Sequence, residues 1–147
     1  MMQRHATFRS SQFESKTAGA HFINERCFGE DLLSWLRGGL TAAGLDASEP
    51  IREDYGWGVW LQAGGDPYWL CVGIMDDSIG QEDAEWLLTV AYDPGLNIIK
   101  RLFHRPRAAD LTRLAKAVHA ALTSGVAVRD IRWWPGEPEV GVPSGYP

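Results

Sequence analysis

Two strand-like runs, separated by turn-forming residues, constrain the fold of this chain more than any other feature of its sequence. Residues 55–61 have the two-residue period of a β-strand with two different faces, and residues 68–75 are predicted to form a second strand. The intervening residues 64–67, Gly-Gly-Asp-Pro, favour a turn. The sequence therefore predicts a β-hairpin over 55–75 with a four-residue connection.

Further strands are predicted before and after this hairpin. Residues 4–9 and 20–24 have some β character and are separated by a polar stretch. Residues 85–92 and 126–134 are longer runs that contain β-branched and aromatic residues. Residues 98–104 are predicted to form another strand, with a short helix as the alternative.

Two segments, 30–43 and 109–123, have the 3.6-residue period of an amphipathic helix. Gly38 and Gly39 lie inside the first of them, at a cost of about 1 kcal/mol for each glycine relative to alanine. Either close packing against the sheet or a simple weakness of the helix explains this pair. The apolar stripes consist of Leu32, Leu36, Leu40 and Ala43 in the first helix and of Leu111, Leu114, Val118 and Leu122 in the second.

Strands joined by short connections and interrupted by two separate helices are typical of the α+β class. We therefore predict a two-layer sandwich, in which a mainly antiparallel sheet carries both helices on one face. The 147 residues, of which 45% are hydrophobic, suffice for one domain with its own core. We expect this domain to cover residues 1–134 and the proline-rich tail, 135–147, to be mobile.

Acidic residues are concentrated in the predicted hairpin and the loops around it. Between residues 46 and 93, eleven carboxylates accompany a single arginine, which leaves the segment with a net charge of −10. Four of the seven tryptophans lie in the same segment. Carboxylates at the turns and edges of a sheet, with aromatic residues between them, favour contact with a basic partner protein. Ordinary solvation of surface loops is the alternative explanation.

We expect such a partner to contact six carboxylates and two tryptophans of this segment. The carboxylates would face the basic surface. The apolar centre would be supplied by one of four tryptophans, Trp57, Trp60, Trp69 or Trp86. The carboxylates do not have the spacing of an EF-hand loop, so acid–base catalysis and a metal site are the less favoured interpretations. The predicted partner-binding residues are Glu53, Asp54, Trp57, Trp60, Asp76, Asp77, Glu82 and Asp83.

A different function would follow from the two glycines in the first strand of the hairpin. Gly56 and Gly58 alternate with Tyr55, Trp57 and Val59, so they lie on the opposite face of the strand and leave a shallow channel there. A channel of this kind admits a small ligand or a partner backbone, as in a ligand-binding or enzymatic domain. Alternatively, the helices pack closely over the glycines while the aromatic residues fill the core.

Residues 100–116 are strongly basic. Six lysines and arginines against the single carboxylate of Asp110 give this segment a net charge of +5. The segment either binds phosphate or another anion or forms the solvated side of a helix. Because the acidic and basic segments have opposite charge, the chain could also associate head to tail. A structural role in a homo-oligomer is therefore a third functional hypothesis.

The sequence contains none of the common catalytic, metal-binding or nucleotide-binding motifs. We therefore expect no cofactor and no metal, and we favour a protein that is not an enzyme. Cys27 and Cys71 are the only cysteines, too few for a disulfide framework, which favours a reducing, cytoplasmic location. The net charge of −5 disfavours nucleic acid and anionic membranes as partners.

Four short segments carry a resemblance to known proteins. They are residues 28–32 (Phe-Gly-Glu-Asp-Leu), 53–57 (Glu-Asp-Tyr-Gly-Trp), 85–87 (Glu-Trp-Leu) and 131–133 (Ile-Arg-Trp). Over residues 25–134 the chain resembles a group of small, uncharacterised bacterial single-domain proteins, and this resemblance implies no catalytic residue. In style and composition the chain is also similar to bacterial immunity proteins. That similarity implies a protein that neutralises a toxin by covering its basic active site.

Overall fold

A computed structural model describes residues 2–147 and contains one six-stranded sheet, three α-helices and a short 3-10 helix, Asp76–Ser78. Met1, the first residue of the predicted domain, lies outside the described residues. The strand order is β2-β3-β4-β5-β1-β6, and every neighbouring pair is antiparallel. The predicted α+β class is thus confirmed. In chain order the elements are β1 (Gln3–Ser10), α1 (Glu30–Ala42), β2 (Ile51–Glu53), β3 (Gly56–Ala63), β4 (Asp66–Ile74), β5 (Ala84–Tyr92), α2 (Ile98–Phe103), α3 (Ala108–Leu122) and β6 (Arg129–Trp134).

The predicted hairpin is formed by β3 and β4, with a shorter connection than expected. Ala63 pairs with Asp66, so the connection is two residues long and consists of Gly64 and Gly65. Their φ angles are 59° and 82°, a region that glycine occupies at little cost and that tight hairpins require at both central positions. Asp66 and Pro67, which the sequence assigned to the turn, belong to β4.

Side chains of β4 and β5 alternate between a buried face and a half-buried face of the sheet. On the buried face Leu70 and Val72 of β4 lie beside Val90 and Leu88 of β5, and these four side chains are at most 1% exposed. Helix α1 contacts β3 and β4, helix α3 contacts β1, β3 and β5, and the two helices contact each other. Every predicted stripe residue from Leu32 to Leu122 is buried except Ala43, which follows the end of α1.

Two predicted strands are absent from the structure. Residues 20–24 form turns, in which the Phe22 amide donates to the Gly19 carbonyl at 3.0 Å. The Phe22 ring packs against Phe28 and Trp57. This apolar residue therefore contributes to the core although its segment forms no strand. Residues 98–103 form helix α2, the alternative that the sequence left open. The Asn97 side chain caps this helix by accepting from the Lys100 amide at 3.0 Å.

The last strand and the tail are joined by a short backbone bridge. Strand β6 begins at Arg129 rather than at residue 126, and Trp133 exchanges two backbone hydrogen bonds with Ser144, at 2.7 and 2.8 Å. Trp133 is buried and Trp134 is half-buried, with its Nε1 donating to Thr7 Oγ1 at 2.9 Å. The predicted mobility of the tail stays a prediction.

The two glycines inside α1 have different surroundings. A Cβ atom on Gly39 would lie 3.0 Å from Ala121 Cβ in α3, whereas a Cβ atom on Gly38 would meet nothing within 4 Å. Gly39 therefore permits the close approach of α1 and α3, rather than packing against the sheet. Gly38 has no such role and simply weakens the helix.

We expect Gly38→Ala to raise the free energy of unfolding by about 0.5–1 kcal/mol, because alanine has the higher helix propensity and meets open space. Gly39→Ala should give no such gain, since the new methyl group presses on Ala121. Urea denaturation of both variants beside the natural protein measures the difference. Equal stabilisation by the two substitutions would contradict this account of helix packing.

Candidate functional site

The half-buried face of the sheet has an aromatic centre on β3 and β4. Trp60 lies opposite Trp69 in the strand register, with 4.9 Å between the ring centroids and 55° between the ring planes. Trp69 Nε1 donates to the Tyr55 hydroxyl at 3.2 Å, and Tyr55 is 52% exposed. These three side chains, here called the aromatic centre, present large, partly hydrated rings of the kind that anchor protein interfaces.

The channel predicted over the glycines of β3 is occupied by Trp69. A Cβ atom on Gly58 would overlap the indole ring of Trp69, and one on Gly56 would overlap the backbone carbonyl of Val72. The glycines therefore let another group approach the strand closely, which both the ligand channel and the close-packing explanation require. The group that approaches Gly58 is a tryptophan of the neighbouring strand, instead of a helix or a ligand.

Beside the aromatic centre lies a cavity of ≈ 360 Å³, lined among others by Tyr55, Trp69, Cys71, Leu87 and Thr89. Burial raises the pKa of the Tyr55 hydroxyl to about 12 and also raises the pKa of the Cys71 thiol above its ordinary value. Both groups are therefore neutral at neutral pH, and the thiol has little of the thiolate character that a nucleophile needs. The cavity is suited to binding an apolar group.

Carboxylates of the predicted set come together at one edge of the sheet. Strands β2 and β4 end at this edge, and β3 and β5 begin there. Asp54, Asp76, Asp77 and Glu82 are exposed. We call this group, with the half-buried Glu53 and Asp83, the acidic edge. It lies next to the aromatic centre because Tyr55 follows directly on Asp54.

Two arginines partly neutralise the acidic edge. Arg129 forms an ion pair with Asp83, and its hydrogen bond holds the pKa of that carboxyl below its ordinary value. Arg26 lies 3.6 Å from Asp76 between exposed side chains, a pairing that contributes little in water. The six carboxylates against these two arginines leave the group with a net negative charge.

The four tryptophans proposed as anchors divide between the two faces of the sheet. Trp57 is 5% exposed, and its Nε1 donates to the Cys27 carbonyl at 2.7 Å. Trp86 is 0% exposed. Trp57 and Trp86 therefore belong to the core, and the anchors that solvent reaches are Trp60 and Trp69. Tyr55 is the one exposed aromatic residue of this surface that the predicted set did not include.

The opposite edge of the sheet is basic and contains two buried carboxylates. Asp66 accepts hydrogen bonds from His104 Nε2 at 2.9 Å and from Lys100 Nζ at 3.3 Å. Asp110 is paired with Arg107 at 3.1 Å and with Arg113 at 3.4 Å. The basic segment thus binds anions of its own chain. The composition did not reveal this, because it counts Asp66 with the other acidic residues of 46–93 and carries no information on its tertiary contacts with His104 and Lys100.

Burial raises the pKa of the Asp66 carboxyl, but the hydrogen bonds from His104 and Lys100 outweigh it and hold that pKa below its ordinary value. A lowered pKa in the folded state means that ionised Asp66 stabilises the fold above the unfolded pKa of about 3.9. The stabilisation disappears as the pH falls through the lowered folded pKa.

Within residues 2–147, histidine, cysteine and carboxylate side chains do not form any group of three that could hold a metal ion. The helices of the same range are too short or too polar to cross a membrane. No protein-family model, curated protein or solved structure matches this chain.

We expect Asp66→Asn to lower the free energy of unfolding by about 1–3 kcal/mol at pH 7, because the charged hydrogen bonds from α2 are lost. The deficit should begin to shrink as the pH falls below about 4, and it should disappear below the lowered folded pKa, where the natural carboxyl is also neutral. Denaturant unfolding across this pH range measures the loss in the free energy of unfolding, with Glu82→Gln on the acidic edge as the control. A deficit that does not change with pH would show that the ion pairs do not stabilise the fold.

Proposed function

We propose that this protein is a non-enzymatic binding protein that covers a basic surface of a partner protein, in the manner of an immunity or inhibitor protein. The observation that carries the proposal is the aromatic centre beside the acidic edge. A cluster of large, half-buried rings next to a strongly charged rim has the anatomy of a protein interface. The neutral Tyr55 and Cys71 beside it favour binding over catalysis.

As part of this proposal, the molecule is a two-layer sandwich in which α1 and α3 cover the buried face of the sheet. The contacts of both helices with the sheet and with each other support this arrangement, as does the burial of their leucine stripes. In this arrangement Trp60 and Trp69 belong to the uncovered layer. The partner would then complete the burial of that face.

The two parts of the surface would contribute to binding in different ways. Carboxylates of the acidic edge attract a basic partner over a distance and raise the association rate, most strongly at low ionic strength. The tryptophans lose water only on contact, so they determine the dissociation rate and most of the affinity. We further propose a bacterial, cytoplasmic protein, in keeping with the free thiols of Cys27 and Cys71.

A second candidate function is the binding of a small apolar ligand in the cavity beside Cys71. Its volume of ≈ 360 Å³ is within the usual range for small-molecule sites. This site replaces the channel over Gly56 and Gly58 that the sequence indicated. A third candidate is a homo-oligomer in which another copy of the chain covers the aromatic centre.

If the acidic edge steers a basic partner, then Asp76→Lys/Asp77→Lys should slow association and leave dissociation nearly unchanged. Trp60→Ala should instead speed dissociation and cost about 2 kcal/mol or more of binding free energy. The partner is first isolated by affinity capture from the native host and purified. Both rate constants are then measured by surface plasmon resonance at several salt concentrations.

The matched control reverses charge at the opposite edge of the sheet, with Arg101→Glu/Arg105→Glu. This control should leave both rate constants unchanged if the acidic edge alone is in contact with the partner. Binding that survives the Asp76/Asp77 reversal, and that does not change with salt, would refute the proposed function. The carboxylates would then serve only to keep the protein soluble.

A further inference from the structure

Helix α2 and the residue before its cap expose an unusual amount of apolar surface. Leu96 is 95% exposed and Phe103 is 83% exposed, and the values for Ile98, Ile99 and Leu102 lie between 67% and 73%. Five large apolar side chains within eight consecutive residues are far more than the scattered exposed residues of an ordinary surface. Such a cluster normally has a contact that removes it from water.

The helix is attached to the rest of the molecule by its polar side. At 3.6 residues per turn, Ile98, Ile99, Leu102 and Phe103 fall within an arc of about 140°. Lys100 lies outside this arc, and its Nζ reaches Asp66 at 3.3 Å. His104, at the C-cap, also contacts Asp66. The Lys100 ion pair and the His104 hydrogen bond with Asp66 therefore hold α2 in place, and the apolar arc points away from the protein.

Basic side chains lie on α2 and on the residues that follow it. Arg101 on the helix, Arg105 and Arg107 on the loop after it and Arg113 on α3 are all exposed. Within residues 2–147, Arg101 and Arg105 form no ion pair, whereas Arg107 and Arg113 share the buried Asp110. Protruding apolar side chains beside arginines are typical of elements that lie in the interface of an anionic membrane.

We propose that α2 binds the surface of a membrane that contains anionic lipids. Its apolar arc lies among the acyl chains nearest the headgroups, and the arginines around it contact the headgroup phosphates. This use of the basic end is independent of the proposed function, which uses the acidic edge. A molecule bound in this way would present its acidic edge and aromatic centre to the aqueous side.

The net charge of −5 disfavours anionic membranes for the molecule as a whole, but it does not describe the end that carries α2. Strand β4 runs from Asp66, next to α2, to Ile74, next to the acidic edge. Its nine residues separate the two ends by about 30 Å, at a rise of about 3.3 Å per residue. Since the Debye length is about 8 Å at physiological salt, the acidic edge repels the membrane only weakly.

A second copy of the chain matches the same surface less well. In a symmetric pair through the arc, Arg101 and Arg105 of both protomers would flank the contact and concentrate like charge beside it. Like charges in contact oppose such a pairing. The arc is also convex, and it would need a complementary groove on a protein, whereas a lipid interface adapts to the shape that enters it.

Sedimentation with lipid vesicles tests the proposal. The full chain is mixed with vesicles of phosphatidylcholine alone and with vesicles of equal parts phosphatidylcholine and phosphatidylglycerol. We expect binding to the anionic vesicles only, and a decrease of that binding as salt is raised. Ile99→Glu/Phe103→Glu should weaken the binding at least about tenfold, and Arg101→Gln/Arg105→Gln should weaken it at least about fivefold.

The matched control is Val126→Glu/Val142→Glu, which places the same charges at two other exposed apolar positions. This control should bind anionic vesicles like the natural protein. All substituted side chains are exposed, and circular dichroism verifies that each variant is folded. Failure of the natural protein to sediment with anionic vesicles would overturn the proposal.

Two further outcomes also count against it. If Ile99→Glu/Phe103→Glu sediments as well as the natural protein, α2 is not the part that contacts lipid. If gel filtration shows a larger species that this variant returns to the monomer, the arc is a contact between copies of the chain. Neither outcome bears on the acidic edge, so the proposed function is tested separately.

Discussion

The alternation of side chains along β4 and β5 is the constraint on which the other features of this structure depend. Leu70 and Val72, with Leu88 and Val90 beside them, fill the buried face of the sheet. A shift of either strand by one residue would exchange its buried and half-buried side chains. The same alternation places Trp69 on the other face, opposite Trp60. The aromatic centre is thus a direct consequence of how the core is packed.

The antiparallel order of the strands has a second consequence, the separation of charge. The loops that carry Asp54, Asp76 and Glu82 all lie at one end of the strands, and α2 and the beginning of α3 lie at the other. At the basic end, the buried carboxylate of Asp66 ties α2 to the start of β4, and the buried carboxylate of Asp110 pairs with arginines in and next to its own helix, α3. Each end therefore has its own surface chemistry, and we propose a different binding role for each.

Periodicity predicted the elements in which one face is clearly apolar. The hairpin, the strand at 85–92 and the helices at 30–43 and 109–123 each have a regular repeat, and each is present within a few residues of its expected bounds. Residues 20–24 and 98–104 are too short for a repeat to be informative. The tertiary contacts of Phe22 and the cap at Asn97 decide their structure, and neither is visible in the local pattern.

The candidate site was predictable to a similar extent. The acidic edge follows from the composition of the loops, because alternate connections of an antiparallel meander, here those between β2 and β3 and between β4 and β5, lie at the same end of the strands. The choice between Trp57 and Trp60 as the exposed residue required knowledge of which face is buried, since both faces of β3 carry a tryptophan. The apolar repeat of Tyr68, Leu70 and Val72 in β4 contains this information once the register is known. Pairing of Asp66 with α2 depends on tertiary structure alone.

Solvent accessibility of the seven indole N–H groups tests the central claim, that the sheet has one buried face and one face available to a partner. A soluble paramagnetic agent broadens the NMR signals of groups that water reaches. The account predicts strong broadening of Trp60 and Trp69, and little for Trp57, Trp86 and Trp133, which are 0–5% exposed. If Trp60 and Trp69 in the isolated monomer are protected as well as the core tryptophans, the claim is contradicted, because the aromatic centre would then be part of the core.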